Sequence, residues 1–581
     1  MARFPHREAF FGDLHVHTSW STDAFFYGNR VGPRDAWRFA QGEAVRLPTG
    51  IVAQLAVPLD FAAITDHAEG FDRIGMCTDP DHPKYGSRTC EDMRNPQVDI
   101  DEFFARALTR FVQWPRPRSA ELCADLDACV AAARPTWRRT QAAADEFDRP
   151  GRFTALIGYE FTGLLPGGGM LHRNVLFRGA HVTQDAISAN DVVNQADFFR
   201  QLDAACRPPC EVLTIPHNTN FSWGLMFADT DRDGSEYTEA DLERRLRLDR
   251  LVEVTQRKGS SECQLGVGAA DEDCNLGILF PPCAAEGQTG CAHETSFVRD
   301  ALLDGIDRKS RGRINPFKLG MIGSTDTHQS DPGNTDARRH SRFAHAMETP
   351  ESARELLAGA HPLAGPWRRF SEGGLAGVWA EANTRTDIFD ALRRREAFAT
   401  SGSRLRIRFF GGDLPADMGA REDALEIAYA RGVAMGGDLE GGDPPTFWVR
   451  ASQDPDAATL DRIQAVKGWV EAGEHRHRVW DVACAGGREP GEDGRCAPTP
   501  ASVDTATCER RDDAGAAELD ATFTDPAFQP DQHAFYYVRV MENPSCRWTT
   551  WFANGAGVPP PDDVPLTVRN RGWSSAIWRE P

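Results

Sequence analysis

The sequence predicts an α/β barrel with parallel strands, followed by a β-sandwich-like domain. Over residues 1–403, short apolar runs alternate with helical patterns, as in a series of βαβ units. Over residues 404–581, segments such as 404–409 and 535–540 alternate apolar and polar residues, which is the period of half-buried strands. We therefore expect two domains that divide between residues 403 and 404.

Five of the apolar runs lead directly into side chains that can bind metals. A (β/α) barrel presents residues just past its strand ends at one face, so we expect these side chains to converge. The runs and their polar successors are Phe10-Phe11 with Asp13, His15 and His17; 59–64 with Asp66 and His67; 154–159 with Glu160; 211–215 with His217; and 318–323 with Asp326 and His328.

Helical patterns and two insertions lie between these runs. The helical patterns cover residues 101–112, 119–134, 194–206 and 239–248. The insertions, near 72–100 and 259–296, are rich in glycine, aspartate, proline and cysteine. Loops of that length are usually functional lids or disulfide-tied decorations.

Two short motifs can each aim two ligands at one point. Residues i and i+2 of a strand point to the same face, which applies to the pair His15 and His17 and to the pair Asp326 and His328. Imidazole and carboxylate ligands together suit zinc, manganese or iron. One His-x-His is a weak signal, and we interpret the second one, at 475–477, as a coincidence.

The order of these residues resembles the PHP superfamily, named for polymerase and histidinol phosphatase. That family opens with His-x-His and continues with an acid or a histidine, a strand-end histidine, a glutamate, two separated histidines and a closing Asp-x-His. The matching positions are His15, His17, Asp23, His67, Glu160, His172, His217, Asp326 and His328. The resemblance covers roughly residues 8–400. The local sequences at 12–19, 536–540 and 547–548 also resemble those of a large bacterial PHP-like family, which is classed as a domain of unknown function.

The resemblance implies a distorted (β/α)7 barrel that binds two or three divalent metals (manganese, zinc or iron). It also implies hydrolysis of a phosphomonoester or phosphodiester by a metal-bridging hydroxide, since clustered cations lower the pKa of bound water. In such a site Glu160 would bridge two metals. His15, His17 and Asp326 would help to hold one metal, and His67 and Asp23 would serve others. His172, His217 and His328 would complete the cage, and His172 would join Glu160 among the catalytic residues.

Three of these candidates have a plain structural alternative. Asp66 is either a partner that orients a ligand ring or the N-cap of a helix. His172 lies in a glycine-rich stretch and could be an exposed loop histidine. Asp23, in Ser21-Thr22-Asp23, could simply cap a helix.

Charged residues nearby could contact a substrate. Arg173 could clamp an anionic group, because guanidinium suits bidentate phosphate contacts. Lys258 and Glu262 follow the strand-like run 251–254 and could line the pocket. For all three, a solvated surface charge is the alternative.

The segment 229–234 has the Asp-x-Asp-x-Asp-Gly spacing that opens a calcium loop. Asp229, Asp231 and Asp233 are therefore possible calcium ligands. The twelfth position, where an EF-hand has glutamate, is Ala240, so a solvated acidic turn is the alternative.

The net charge and the absence of some catalytic motifs reduce the number of function classes that fit the sequence. A net charge of −21 argues against a nucleic-acid or anionic-membrane surface, which would need a basic face. No Gly-x-Ser-x-Gly elbow or Walker loop is present. We expect a small anionic substrate, phosphorylated if the PHP interpretation holds. The alternatives are a hydrolase of a non-phosphate ester or amide that uses the same metal centre, and a non-catalytic exported binding protein.

The spacing of the cysteines predicts the cellular compartment of the protein. The chain has 14 cysteines, and they fall into neighbouring pairs in loop-like sequence. Such pairs are typical of disulfides, which persist in oxidising compartments. We therefore expect a periplasmic or secreted protein, although residues 1–6 lack the apolar core of a signal peptide. No apolar run approaches the length of a membrane span.

Overall fold

A computed structural model of the chain describes residues 2–26, 28–47, 50–95, 121–285, 287–336, 350–360 and 364–581. Its strands are β1 (Glu8–Asp13), β2 (Val45–Arg46), β3 (Val52–Ala53), β4 (Phe61–Ala63), β5 (Thr154–Leu164), β6 (Met170–Phe177), β7 (Val212–His217), β8 (Leu251–Gln256), β9 (Gly259–Ser260), β10 (Gly320–Gly323), β11 (Leu375–Ala380), β12 (Ala397–Thr400), β13 (Arg406–Gly412), β14 (Gly432–Ala434), β15 (Asp438–Leu439), β16 (Thr446–Ser452), β17 (Leu460–Glu471), β18 (Glu474–Cys484), β19 (Ser502–Val503), β20 (Arg510–Arg511), β21 (Glu518–Thr524), β22 (Ala534–Glu542), β23 (Ser545–Cys546), β24 (Thr567–Val568), β25 (Arg571–Ser574) and β26 (Ile577–Arg579).

Its α-helices within the described ranges are α1 (Thr22–Phe26), α2 (Pro33–Ala40), α3 (Phe71–Cys77), α4 (Arg88–Arg94), α5 (Leu126–Phe147), α6 (Gln195–Ala205), α7 (Glu239–Leu248), α8 (Val298–Ser310), α9 (Pro350–Ala358), α10 (Ala364–Arg368), α11 (Arg385–Arg394), α12 (Ala424–Arg431) and α13 (Trp548–Ala556). The predicted helices at 194–206 and 239–248 correspond to α6 and α7. The predicted helix at 101–112, residues 119–120 of the next one and the end of the 72–100 insertion lie outside the described residues.

A large mixed sheet forms the centre of the fold. Its strand order is β15-β26-β22-β25-β12-β11-β1-β4-β5-β6-β7, and β17 joins it through β22 and pairs with β18. β1, β4 and β5 are parallel, as predicted, whereas β11, β6 and their outer neighbours are antiparallel. The α/β class predicted from the sequence is therefore confirmed, with more antiparallel pairing than the apolar runs indicate.

A second, short sheet continues the strand arrangement beyond β7. β10 pairs in parallel with β8, and a parallel bridge joins Thr214 of β7 to Asp249, just before β8. Another parallel bridge joins Val16, just after β1, to Thr327, just after β10. Segments far apart in sequence are thus brought side by side where the predicted ligands lie.

The residues after 403 contribute six strands to the central sheet and also form a second sheet that packs against it. β14, β13, β16 and β21 make a four-stranded antiparallel sheet. Its apolar side chains, such as Phe409 and Phe447, share a buried core with Val538 and Val540 of β22 and with Phe11 of β1. The predicted domain boundary falls between β12 and β13, but β12 pairs with β25, so sheet hydrogen bonding crosses it. The division into two domains remains a prediction.

A buried ionic network fastens the 259–296 insertion to β22. Glu262 accepts hydrogen bonds from Arg299 (2.7 Å), Tyr537 (2.7 Å), Arg539 (3.2 Å) and the Trp573 indole (2.6 Å). Glu262 is 2% exposed, and both arginine side chains are fully buried. Both expectations for Glu262, a pocket wall or a solvated charge, are therefore wrong.

All 14 cysteines are paired, each with its neighbour in sequence, which confirms the predicted pairing. The disulfides are Cys77–Cys90, Cys123–Cys129, Cys206–Cys210, Cys263–Cys274, Cys283–Cys291, Cys484–Cys496 and Cys508–Cys546. Seven disulfides indicate an oxidising location, extracellular or periplasmic. Within the described ranges, no helix combines the length and apolar character needed to cross a membrane.

Gly12 allows β1 and β4 to approach closely. A Cβ atom at this position would lie 2.5 Å from the carbonyl oxygen of Phe61 and closer still to its ring. We expect Gly12→Ala to lower the free energy of unfolding by at least about 2 kcal/mol, since the neighbouring backbone must move. Urea denaturation followed by circular dichroism measures this loss. Gly442→Ala, where a Cβ has no atom within 4 Å, is the control. Equal stability of the two variants would refute the close-approach argument.

Candidate metal centre

The nine predicted ligands meet in one largely buried cluster, eight of them from strands or the residues after strands and one from a helix. His15 and His17 follow β1, and His67 follows β4. Glu160 and His172 lie within β5 and β6, where they are held by the antiparallel pairing of those strands. The remaining ligands, at the end of β7 and after β10, are His217, Asp326 and His328. Asp23 comes from the first turn of α1.

Glu160 lies at the centre of the cluster and is fully buried. Its Oε1 atom is 2.8 Å from Nδ1 of His172 and 3.1 Å from Nε2 of His217. Its Oε2 atom is 3.2 Å from Nε2 of both His15 and His17. One carboxylate therefore has four imidazole nitrogens within 3.2 Å, two at each oxygen, and Nδ1 of His67 lies 3.5 Å from Oε1.

Two aspartates complete the cluster on its other sides. Oδ1 of Asp326 is 3.3 Å from Nε2 of both His15 and His17. Asp326 holds a left-handed backbone conformation (φ 54°), which is costly for a non-glycine residue and typical of functional sites. Oδ2 of Asp23 is 3.0 Å from Nε2 of His67 and 2.7 Å from Nε2 of His328.

The ligand atoms form three overlapping groups, each of which could hold one metal ion. Within each group the atoms lie within 4.8 Å of one another. The groups are His17, Asp23, His67 and His328; His15, His17 and Glu160; and Glu160, His172 and His217. His17 and Glu160 each belong to two groups, so neighbouring ions would share ligands. The donor set, imidazole nitrogen with carboxylate oxygen, fits divalent zinc, manganese or iron.

The electrostatics of the cluster also suit cations. Burial would lower the pKa of His67, but the carboxylates of Asp23 and Glu160 outweigh it and raise that pKa to about 10. For His217, burial and the neighbouring His15 lower the pKa to about 3. Burial opposes ionisation of Glu160, yet the charges of His67 and His217 hold its pKa well below the usual range. The carboxylates are thus ionised at neutral pH, while not all the imidazoles can be protonated together.

Two of the ligand imidazoles are oriented by a hydrogen-bond partner at the ring nitrogen that faces away from the cluster. Nδ1 of His15 lies 3.1 Å from Oε2 of Glu253, and Nδ1 of His17 lies 3.0 Å from the Ser21 hydroxyl. Such partners fix the tautomer and leave the other ring nitrogen available for a ligand bond. Sequence analysis missed Glu253. The sequence feature that could have identified Glu253 is a carboxylate within the apolar run 251–254, where a buried strand was expected.

Asp66 has a different role from both predictions. It is fully buried and accepts hydrogen bonds from the backbone N–H (2.6 Å) and the hydroxyl (2.9 Å) of Thr18. Burial raises its pKa to about 6. The short helix at 68–70 has no side-chain cap, and the bonds of Asp66 go to Thr18 rather than to a ligand ring. Asp66 therefore holds the loop that follows His17.

Arg173 does not face the cluster, which corrects its predicted role as a substrate clamp. It alternates with His172 along β6, so its side chain points to the opposite face. Its guanidinium is fully buried and donates to Asp249 (3.1 Å) and Gln195 (2.7 Å). These bonds hold the Arg173 side chain on the face of β6 that is turned towards α6.

Lys258, in contrast, reaches the cluster. Its ammonium forms an ion pair with Oδ2 of Asp326, which also accepts a hydrogen bond from Gln256 (3.0 Å). The Lys258 side chain is 20% exposed, whereas that of Asp326 is 1% exposed. The lysine therefore lies between the buried ligands and solvent.

The three carboxylates of the acidic turn at 229–234 each have a partner elsewhere in the protein, which favours the alternative of an acidic turn over the calcium site. Asp229 pairs with Arg308 (2.6 Å), and Asp231 accepts from the backbone N–H of Ala196 (2.9 Å). Asp233 accepts from Asn194 (2.9 Å). The last two bonds fasten the turn to the start of α6.

The histidines at 475 and 477 lie on β18, apart from the nine ligands. His477 is hydrogen bonded to the carbonyl of Ala270 (3.1 Å), and His475 lies 3.8 Å from Asp304. Neither belongs to the three groups described above. This placement agrees with the interpretation of the motif as a coincidence.

Comparison with known proteins gives one family and one distant structure. The DUF3604 family, described as proteins of unknown function, matches residues 4–581. No protein with a curated description matches the chain. A crystal structure from Bacteroides vulgatus, of a two-domain protein containing a predicted PHP-like metal-dependent phosphoesterase, shares 10% identity. The match covers 98% of this chain and 96% of that one with a TM-score of 0.30, a level that does not establish a shared fold.

Proposed function

The chain belongs to the DUF3604 family of proteins of unknown function, and from its own site we propose that it is a metal-dependent phosphoesterase of the PHP type. The observation that carries this proposal is Glu160, which places two imidazole nitrogens at each of its two oxygens in a fully buried position. A cluster of six histidines and three carboxylates is costly to bury without cations, because like charges repel and unpaired polar groups lose water.

The three ligand groups assign the residues that would hold the ions. His17, Asp23, His67 and His328 would hold one, His15, His17 and Glu160 another, and Glu160, His172 and His217 a third. Asp326, beside His15 and His17, would support the second position. Bound divalent ions would supply Lewis-acid activation of water and neutralise anionic oxygens. Glu253 and Ser21 would hold the imidazoles of His15 and His17 in their ligand orientation.

We also propose that the surrounding strands form the distorted barrel of the PHP fold. The support is the succession β1, β4, β5, β6, β7, β8 and β10, each paired or bridged to the next. The bridge between Val16 and Thr327 joins the segments after the last and first of these seven strands. All nine ligands lie on or just beyond these strands or on α1.

The proposed substrate is a small phosphorylated molecule in the periplasm or outside the cell. Lys258 supports an anionic substrate, because its partly exposed ammonium reaches the otherwise buried cluster. With metals on the carboxylates, this charge would be available to a phosphoryl oxygen. The net charge of −21 would disfavour long polyanions such as nucleic acids, whose binding needs an extended basic face.

Metal analysis combined with a substrate screen tests this function. We expect the purified protein to contain at least one transition metal ion per chain and to hydrolyse phosphomonoesters or phosphodiesters, with loss of activity after chelation. Lys258→Met should raise KM for the phosphoester and leave the metal content unchanged, and His477→Ala serves as the matched control. Turnover of carboxylic esters alone would refute the phosphoesterase, and a protein that binds no metal would refute the whole proposal.

A further inference from the structure

A second cavity lies where the residues before and after position 403 meet. Its volume is about 330 Å³, which is in the range of small-molecule sites. Its walls come from the segment after β3, the segment 333–336, the loop after β12, and the strands and loops between 454 and 570. None of the nine predicted metal ligands lines it. The proposed phosphoesterase chemistry therefore leaves this cavity unexplained.

Glu542, at the end of β22, is the most deeply buried acid in the wall. It is 1% exposed, and its Oε1 atom accepts a hydrogen bond from the Ser403 hydroxyl at 2.5 Å. Among the described residues, no lysine or arginine forms an ion pair with it. Burial raises the pKa of Glu542 to about 8. The acid is therefore mostly protonated at neutral pH, and a cation beside it in the cavity would stabilise its ionised form.

The charged side chains that line the cavity are mainly acidic. Five carboxyl groups line the cavity against two guanidinium groups: Asp336, Glu372, Asp454, Asp456 and Glu542, with Arg404 and Arg510. The Arg404 guanidinium donates to the carbonyls of Val57 (2.7 Å) and Pro58 (2.9 Å), so its hydrogen bonds go to the backbone of the wall. The excess of carboxyl groups favours a positively charged occupant and disfavours an anion.

One aromatic side chain suits an organic cation rather than a bare metal ion. Trp551, on α13, lines the same cavity. Ammonium groups are attracted to the face of an indole ring, most strongly when they are removed from water. A space of about 330 Å³ also exceeds what a single ion needs and fits a short chain of carbon atoms.

We propose that this cavity is a binding site for a small organic amine, whose ammonium group lies between the Glu542 carboxylate and the Trp551 ring. The inference concerns a site separate from the metal centre and does not depend on what the metal centre hydrolyses. Ser403 positions Glu542 by its hydrogen bond, and Asp454, fixed by the Arg404 backbone N–H (2.7 Å), provides further negative charge.

Titration calorimetry on the full-length, metal-loaded protein tests the proposal. The probes are putrescine and choline, with 1,4-butanediol as the neutral match of putrescine and succinate as an anionic control. We expect at least one amine to bind with a 1:1 stoichiometry and neither control to bind. Glu542→Gln, which keeps the shape and removes the charge, should weaken binding at least tenfold. Glu518→Gln, an exposed carboxylate on β21, should leave it unchanged.

A second variant keeps the test decisive if Glu542→Gln does not fold. Trp551→Leu should weaken amine binding about three-fold through loss of the cation–π contact. Three results would each overturn the proposal: no heat from either amine at millimolar concentration, equal binding of butanediol and putrescine, or amine affinity that is unchanged in both variants. Calcium binding at Glu542 without amine binding would also overturn it.

Discussion

Replacing Glu160 by glutamine is expected to remove metal from the protein and to lower hydrolysis by at least about 10²-fold, as when a group that stabilises transition-state charge is lost. The substitution is nearly isosteric, so the core around Glu160 keeps its volume. It removes the negative charge that two of the three ligand groups share. An amide also presents an N–H₂ group to two imidazole nitrogens that need an acceptor or a metal.

Elemental analysis and steady-state kinetics on the same preparation measure both effects. Glu518→Gln, on the surface of β21, is the control for the chemical change itself. If Glu160→Gln retains the full metal content but loses activity, Glu160 acts on the substrate and not as a bridging ligand. If it retains both, the three-group assignment is wrong.

Replacing Glu262 by alanine is expected to lower the free energy of unfolding by about 3 kcal/mol, because it removes one of the two carboxylates that two buried arginines share. Arg299 and Arg539 would lose Glu262 but keep Asp271 (2.7 and 2.8 Å), and the hydroxyl of Tyr537 would lose its acceptor. The effect on stability should exceed that of any single exposed ion pair, which contributes about 0–1 kcal/mol.

The same network predicts a pH dependence of stability. Burial opposes ionisation of Glu262, but the charges of Arg539 and Arg299 outweigh it and lower its pKa to about 2. Its contribution is therefore complete above the unfolded value near 4.5 and is lost as the pH falls towards 2. Urea denaturation at pH 7 and pH 3.5 should show a larger loss for wild type than for Glu262→Ala. Glu422→Ala, at an exposed position, is the control. A loss below 1 kcal/mol at pH 7 would contradict the argument.

Local patterns in the sequence predict the strands that carry the site, and the reason is physical. Strands that are buried on both faces need continuous apolar runs, and β4, β5 and β7 have them, so the metal-binding side chains that follow these runs can be located. The antiparallel insertion of β25 between β12 and β22 could not be predicted. Its four residues pair with strands that lie far from them in sequence.

The residues of the candidate site also differ in whether the sequence can predict their positions. The two ligand pairs, His15 with His17 and Asp326 with His328, can be located because they follow apolar runs. The strand period does not describe the second pair, since Asp326 has a left-handed backbone conformation. Glu253 and Ser21 approach the ligand rings through tertiary packing, which a single sequence does not encode in its spacing. Arg173 shows the opposite error, since its residue type suits phosphate but the alternation along β6 turns it towards Asp249.

The position of β25 has a consequence for how the molecule is made. β25 lies between β12 and β22, and β26 continues along the same edge of β22, because β17 occupies the other edge. Residues 571–579 thus join strands from both halves of the sequence. Until those residues are synthesised, β12 presents an open edge that cannot pair with β22. The finished architecture is therefore reached only after residues 571–579 have been synthesised. For a protein whose disulfides indicate export, this delay would keep the nascent chain incompletely folded while it is still being moved across a membrane.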